Sequence, residues 1–184
     1  NVQRWVSEGK VWVCNNGTVD TPFTVPAAVT AIATPMLAII VPAGQVIVPL
    51  EVVVNMITGT TAPTNVTLVH YLNSIGAGTS TVGTDANINT AYGGAASGLT
   101  IYKTYTGAGT AATNPVEFHR ASFSLQAVAT VGGLSRVVWS YKTNIAPRIG
   151  QSGALSTFQV GIGVAAAATA YITAIYAKFT IGDI

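Results

Sequence analysis

The chain has 184 residues, 49% of them hydrophobic and 8% charged, with a net charge of +2 and a single cysteine. An ordinary soluble domain carries about 25% charge, and nucleic-acid binding needs clustered basic groups on several phosphates. The eight basic and six acidic residues are dispersed, which argues against genome packaging by a basic arm, and the lone Cys14 excludes an internal disulfide.

The length suits one domain, 1–184, around one buried core. Residues 1–30 read as N-terminal strands or an arm, a pair of short strands followed by a turn at Asn15-Asn16-Gly17. Trp5 and Trp12 lie here, flanked by Arg4 and Lys10. Thr21–Leu50 carries no charge but is punctuated by Pro22, Pro26, Pro35, Pro42 and Pro49. Within it Met36–Val41 and Gln45–Ile57 read as strands separated by a turn at Pro42-Ala43-Gly44. Pro49 inside an apolar run implies an edge strand or a bulge.

Alternation then dominates. Leu50, Val52, Val54 and Met56 oppose Glu51, Val53, Asn55 and Ile57, and Val66, Leu68, His70 and Leu72 oppose Thr67, Val69 and Tyr71. Ser74–Gly98 holds six glycines, little alternation and Tyr92, and reads as a long loop. Glu117–Ala127 sets His119, Ala121, Phe123 and Leu125 against Phe118, Arg120, Ser122, Ser124 and Gln126. Gly132-Gly133 reads as the tip of a hairpin joining Val116–Thr130 to Leu134–Asn144. Val137, Trp139 and Tyr141 share a face, as do Phe158, Val160, Ile162 and Val164. Ala165–Ala168 is the only helix-like patch and reads as a turn or bulge before a long last strand at Tyr171–Ile181. The pattern predicts an all-β fold: a single antiparallel β-sandwich of jelly-roll type with about 8–10 strands.

Chemical motifs are weak. Gly161-x-Gly163-x-x-Ala166 lacks the βαβ unit that a dinucleotide needs. In Gly150-Gln151-Ser152-Gly153 the second glycine comes one residue early for a nucleophile elbow. Two histidines and one cysteine offer no metal-ligand spacing; Glu117 and His119, two apart on one strand face, are expected to be a structural pair. Asn16-Gly17-Thr18 and Asn65-Val66-Thr67 match the glycosylation pattern as chance would in a threonine-rich chain. No run of about 20 apolar residues exists to span a membrane as a helix. The sequence opens at Asn1 with no signal peptide, so Asn1 reads as a processed terminus or early residues are missing. No enzyme, catalytic residue, cofactor or metal is expected. The candidate interface or ligand contacts are Trp5, Trp12 and Tyr92, residue types that anchor interfaces and stack on sugars.

A chain this poor in charge is expected to cover its surface with other subunits. The run Val41-Pro42-Ala43-Gly44-Gln45-Val46-Ile47-Val48-Pro49-Leu50-Glu51 resembles a strand–turn–strand element of phage and virus structural jelly rolls. The run Ala170-Tyr171-Ile172-Thr173-Ala174-Ile175-Tyr176-Ala177-Lys178-Phe179 is similar to the closing strand of such domains and of trimeric TNF-like jelly rolls. The resemblance implies a non-enzymatic virion structural protein: a capsid component, decoration protein or appendage. It would form a homo-oligomer, a trimer or higher, or join other capsid proteins, without direct nucleic-acid contact. The alternative is a glycan- or receptor-binding jelly-roll module of a viral fibre. A third reading, an outer-membrane β-barrel, is opposed by Thr, Ser and Asn on both strand faces.

Overall fold

Strands with one apolar face must bury it, and two such sheets stacked face to face do so. The fold is seen in a computed structural model that describes residues 1–27, 34–58, 63–73, 78–107, 114–124, 135–141, 147–164 and 167–183. A short helix α1 (Val2–Ser7) leads into β1 (Val11–Asn16), β2 (Phe23–Val25), β3 (Leu37–Val41) and β4 (Gln45–Thr58). Then come β5 (Pro63–Tyr71), β6 (Thr79–Gly83), β7 (Asp85–Asn87), a 3-10 turn (Thr90–Tyr92) and β8 (Thr100–Gly107). The last four strands are β9 (Val116–Ser124), β10 (Ser135–Ser140), β11 (Ser156–Gly163) and β12 (Ala168–Thr180). One sheet runs β10-β4-β12-β1-β7, with β2 also on β12; the other runs β6-β8-β3-β11-β5-β9. Every pairing is antiparallel.

Four of these pairings nest along the chain: β3 with β11, β4 with β10, β5 with β9 and β6 with β8. A long antiparallel ribbon wrapped so that its successive pairs change sheet is the jelly-roll arrangement. The wrap departs from the regular form at the ribbon's tip. There β6 and β8 lie beside β3 rather than beside β10, and β12, β1 and β7 extend the first sheet beyond β4. Among the described residues the two sheets keep separate edges and do not join into one barrel.

The core lies between the sheets. Val52, Val54, Met56, Ala170, Ile172, Ala174 and Tyr176 face Leu37, Ile39, Val66, Leu68, Phe158, Val160 and Ile162. The expected alternation of β4, β5 and β11 is therefore the core pattern. Leu50 breaks it. The β4–β12 register jumps from Glu51 opposite Ile175 to Pro49 opposite Tyr176, so Leu50 is the extra residue of a bulge. Leu50 joins Val48, Val11, Ala177 and Phe179 on the outer face instead. Pro49 thus marks a bulge and not an edge, because β4 lies between β10 and β12.

Several sequence expectations are corrected. Up to Gly17 the N-terminus holds a helix and one strand, not the two short strands expected before the turn; β2 follows at Phe23–Val25. Val2, Trp5 and Val6, at helical spacing, pack on the outer cluster of the first sheet. Tyr141, expected on the face of Val137 and Trp139, joins that outer cluster, whereas Val137 and Trp139 pack on the core. The stretch 74–98, expected to be a loop, contains β6, β7 and the 3-10 turn. β9 and β10 lie in different sheets and do not form a hairpin; its expected tip at 132–133 falls outside the described residues, as do 165–166 of the alanine patch. A bulge in β9 puts Glu117 opposite Val69 and His119 opposite Leu68, so the two do not share a face. Glu117 instead holds Arg120 through two hydrogen bonds of 2.7 and 2.6 Å.

Candidate functional site

Trp5 sits on α1 with its ring edge-on to Phe179 at 5.0 Å and to Tyr141 at 6.3 Å. It is a half-buried strut between helix and sheet. Trp12 lies on β1, stacked on Tyr176 at 6.5 Å; its indole N–H donates to the Ala95 carbonyl at 3.1 Å, and the Lys178 ammonium stands 5.4 Å from its ring centre. Tyr92 is 47% exposed. Its ring lies so close to Gly9 that a Cβ there would meet it at 2.5 Å. Trp12 and Tyr92 therefore both lie at the edge where 85–99 folds over β1, while Trp5 stands on the outer face.

That edge is held by polar contacts. Asn87 donates to the Gly9 carbonyl at 2.6 Å and Asn89 to the Val6 carbonyl at 3.0 Å. Beneath Trp12, the buried Tyr176 hydroxyl donates to the Asp85 carboxylate, and the Ser97 hydroxyl lies 3.0 Å from the same phenol oxygen. The Ser97 amide donates to Asp85 at 2.9 Å, and Lys178 donates to the Ser97 carbonyl. Burial, then the Asp85 hydrogen bond, pushes the Tyr176 phenol far up; burial also pulls the Lys178 ammonium down. A phenol held protonated and closed from solvent pins the 85–99 segment to β12 and leaves no room for substrate. Cys14, opposite Asp85 in the register, is pushed up to about 12, by burial first and the Asp85 charge second. It is a packing residue, not a nucleophile.

The open half of the first sheet's outer face is different. A cleft of about 600 Å³ is lined by Asn15, Gly17, Asn55, Tyr171 and Thr173. Strand register builds it: Asn15 pairs Thr173, and Tyr171 pairs Asn55, which pairs Arg136 on the other side. Directly opposed residues of a pleated sheet face the same way, so Arg136, Asn55 and Tyr171 form one row across three strands. The Thr173 hydroxyl donates to the Asn15 side-chain oxygen at 2.8 Å. Sequence reasoning missed this cleft because its parts are scattered from 15 to 173 and each reads alone as an ordinary solvent-facing residue. The one local signal was Asn55, a polar residue in an otherwise apolar run.

Asn16, of the first glycosylation match, is buried and donates to the Met36 carbonyl at 2.6 Å. Among the described residues no three His, Cys, Asp or Glu side chains gather to hold a metal, and no helix is long and apolar enough to cross a membrane.

No protein-family profile matches the sequence, and no curated protein sequence does. Among solved structures, the chain is similar to a protein of the full particle of Deformed Wing Virus at 10% identity and a TM-score of 0.28, over 89% of this chain and 73% of that one. It is also similar to VP2 of the infectious bursal disease virus subviral particle at 11% identity and a TM-score of 0.24. That match covers 92% of this chain and 40% of the viral one. A third likeness, to infectious bursal disease virus of the Gx strain, has 13% identity and a TM-score of 0.23, over 91% of this chain and 40% of that chain.

Proposed function

We propose that the chain is a non-enzymatic structural subunit of a virion, packing against copies of itself or other capsid proteins through charge-poor β surfaces. The observation that carries this reading is where the ion pairs lie. Among the described residues they occupy two places only: Glu8 with Arg4 and Lys10 beside α1, and Glu117 with Arg120 on β9. Elsewhere the described surface is mostly neutral Thr, Asn, Ser and Ala, with single charges such as Asp20, Arg136 and Arg148 dispersed among them. Exposed apolar side chains stand among them, including Val82 at 73%, Val138 at 47% and Val116 at 49%. Desolvating neutral surface costs far less than desolvating charge, so broad faces can be buried without ion-pair matching, and many weak contacts sum in a lattice.

The virion half of the reading rests on the nested ribbon and on the two runs that resemble viral jelly rolls, which lie at the β3–β4 turn and in β12. Trp12 and Tyr92 lie at one edge of this surface and Trp5 on the outer face, and the exposed Tyr92 is the proposed contact point. Sedimentation velocity and negative-stain electron microscopy over a dilution series test the proposal. Closed shells, rings or trimers that persist on dilution are expected. A monomer at every concentration, with no affinity for preformed capsids, would refute it.

A further inference from the structure

We propose that the cleft beside Tyr171 binds a carboxylated saccharide. The row Arg136–Asn55–Tyr171 leaves polar groups unused. Arg136 is exposed and takes part in none of the three ion pairs. A guanidinium presents a planar fork that matches a carboxylate with two parallel hydrogen bonds. Next to it, the half-buried Asn55 amide makes no hydrogen bond of its own within the described residues. It offers a carbonyl acceptor and two N–H donors. Asn15 engages only its oxygen, with Thr173, so its N–H₂ group is also unspent. Alternating donors and acceptors of this kind are what vicinal hydroxyls require.

Tyr171 supplies the apolar surface. Its ring rests against Gly17, whose φ is +91°, and a Cβ there would stand 2.7 Å from the ring. Glycine at that position lets the ring settle against the backbone, and the half-buried ring forms a wall of the cleft. The ring, the amides and the guanidinium all stand on strands or at a strand end, so the site is set in place before a ligand arrives. A cleft of about 600 Å³ holds one or two sugar units. The flat C–H face of a pyranose covers the ring, the amides take its hydroxyls, and Arg136, which stands beside Asn55 outside the cleft's lining, takes the acid at the rim.

Saturation-transfer NMR on the full chain tests this, because the method tolerates large assemblies. The probes are the methyl glycosides of N-acetylneuraminic acid, galacturonic acid and galactose, together with acetate. At least one acidic glycoside is expected to bind about tenfold or more tightly than methyl galactoside and acetate. Arg136→Gln is expected to remove that preference, and Asn55→Ala to weaken acidic-sugar binding several-fold, with both variants keeping the wild-type thermal melt. Three results would each overturn the proposal: no transfer from either acidic glycoside, acetate or methyl galactoside binding as tightly as the acidic sugars, or Arg136→Gln leaving the preference intact. Assembly, read by electron microscopy, is independent of all three.

Discussion

The Tyr176 hydroxyl and the Asp85 carboxylate meet as donor and acceptor although 91 positions separate them in the chain. Their contact joins β12 at the centre of the first sheet to β7 at its margin, with Trp12 stacked above. Tyr176→Phe keeps the ring and its stacking on Trp12 but leaves the buried carboxylate short of a donor. A loss of about 1–3 kcal/mol is expected, read from the denaturant midpoint, with Asp85→Ala costing more because it strands both the phenol and the Ser97 amide. Equal stability of Tyr176→Phe and wild type would mean that the 85–99 segment is held by the Asn87 and Asn89 contacts alone.

Gly150 and Gly44 separate crowding from backbone conformation. A Cβ on Gly150 would stand 2.1 Å from the Gln45 carbonyl oxygen, at a φ of +151°, whereas one on Gly44, at +79°, meets nothing within 4 Å. The collision at Gly150 is with backbone, next to the Ile47–Ile149 bridge that closes this end of β4. Gly150→Ala is therefore expected to cost about 3 kcal/mol or more, and Gly44→Ala about 1–2 kcal/mol from left-handed strain alone. Thermal melting of the two variants side by side checks the order.

Acidification is expected to weaken the fold in two stages. Burial beside Phe118, 6.1 Å away between ring centres, pulls the His70 imidazole below its ordinary 6.5. The unfolded chain takes up that proton first, so stability is full above about 6.5 and declines as pH falls from there toward the lowered folded value. Glu8, held down by Arg4 and then Lys10, and Glu117, held down by Arg120, contribute stability above the ordinary 4.5 and lose it only below that. In the upper of those two ranges, as pH falls from about 6.5, His70→Gln is expected to flatten the melting-temperature profile. A profile of unchanged slope would remove His70 as its source.

Cys14 is expected to resist thiol reagents in the folded protein. Its pKa near 12 and its 1% exposure leave almost no accessible thiolate at neutral pH. Colourimetric titration should find no reactive thiol until denaturant is added, then one per chain. Rapid labelling of the native protein would indicate that β1 opens from β7.

The two-sheet fold was legible wherever alternation ran unbroken. Val52, Val54 and Met56, or Phe158, Val160 and Ile162, point inward as their spacing implies. It failed at irregularities that no period reveals. The extra residue at Leu50 reverses the facing of β4, and the bulge beside Phe118 brings that ring within 6.1 Å of Phe158 while turning Glu117 outward. Helix α1 was hidden because six residues are too few for a periodicity to stand out, although Val2, Trp5 and Val6 do carry it. The cleft was illegible for another reason: register, which sequence patterns do not specify between distant strands, is what lines up Arg136, Asn55 and Tyr171.

The nested pairing has a consequence for biogenesis. β3 is flanked by β8 but reaches β5 and β9 only through β11, and β4 and β1 are both flanked by β12, so neither sheet can close until β11 and β12 have left the ribosome. Such long-range topology folds slowly, and a nascent chain would expose the bare margins of β4 and β1 in the interval. Production in cells should therefore depend on chaperone supply, and shortened chains that end before β12 should accumulate as insoluble material rather than as partial building blocks.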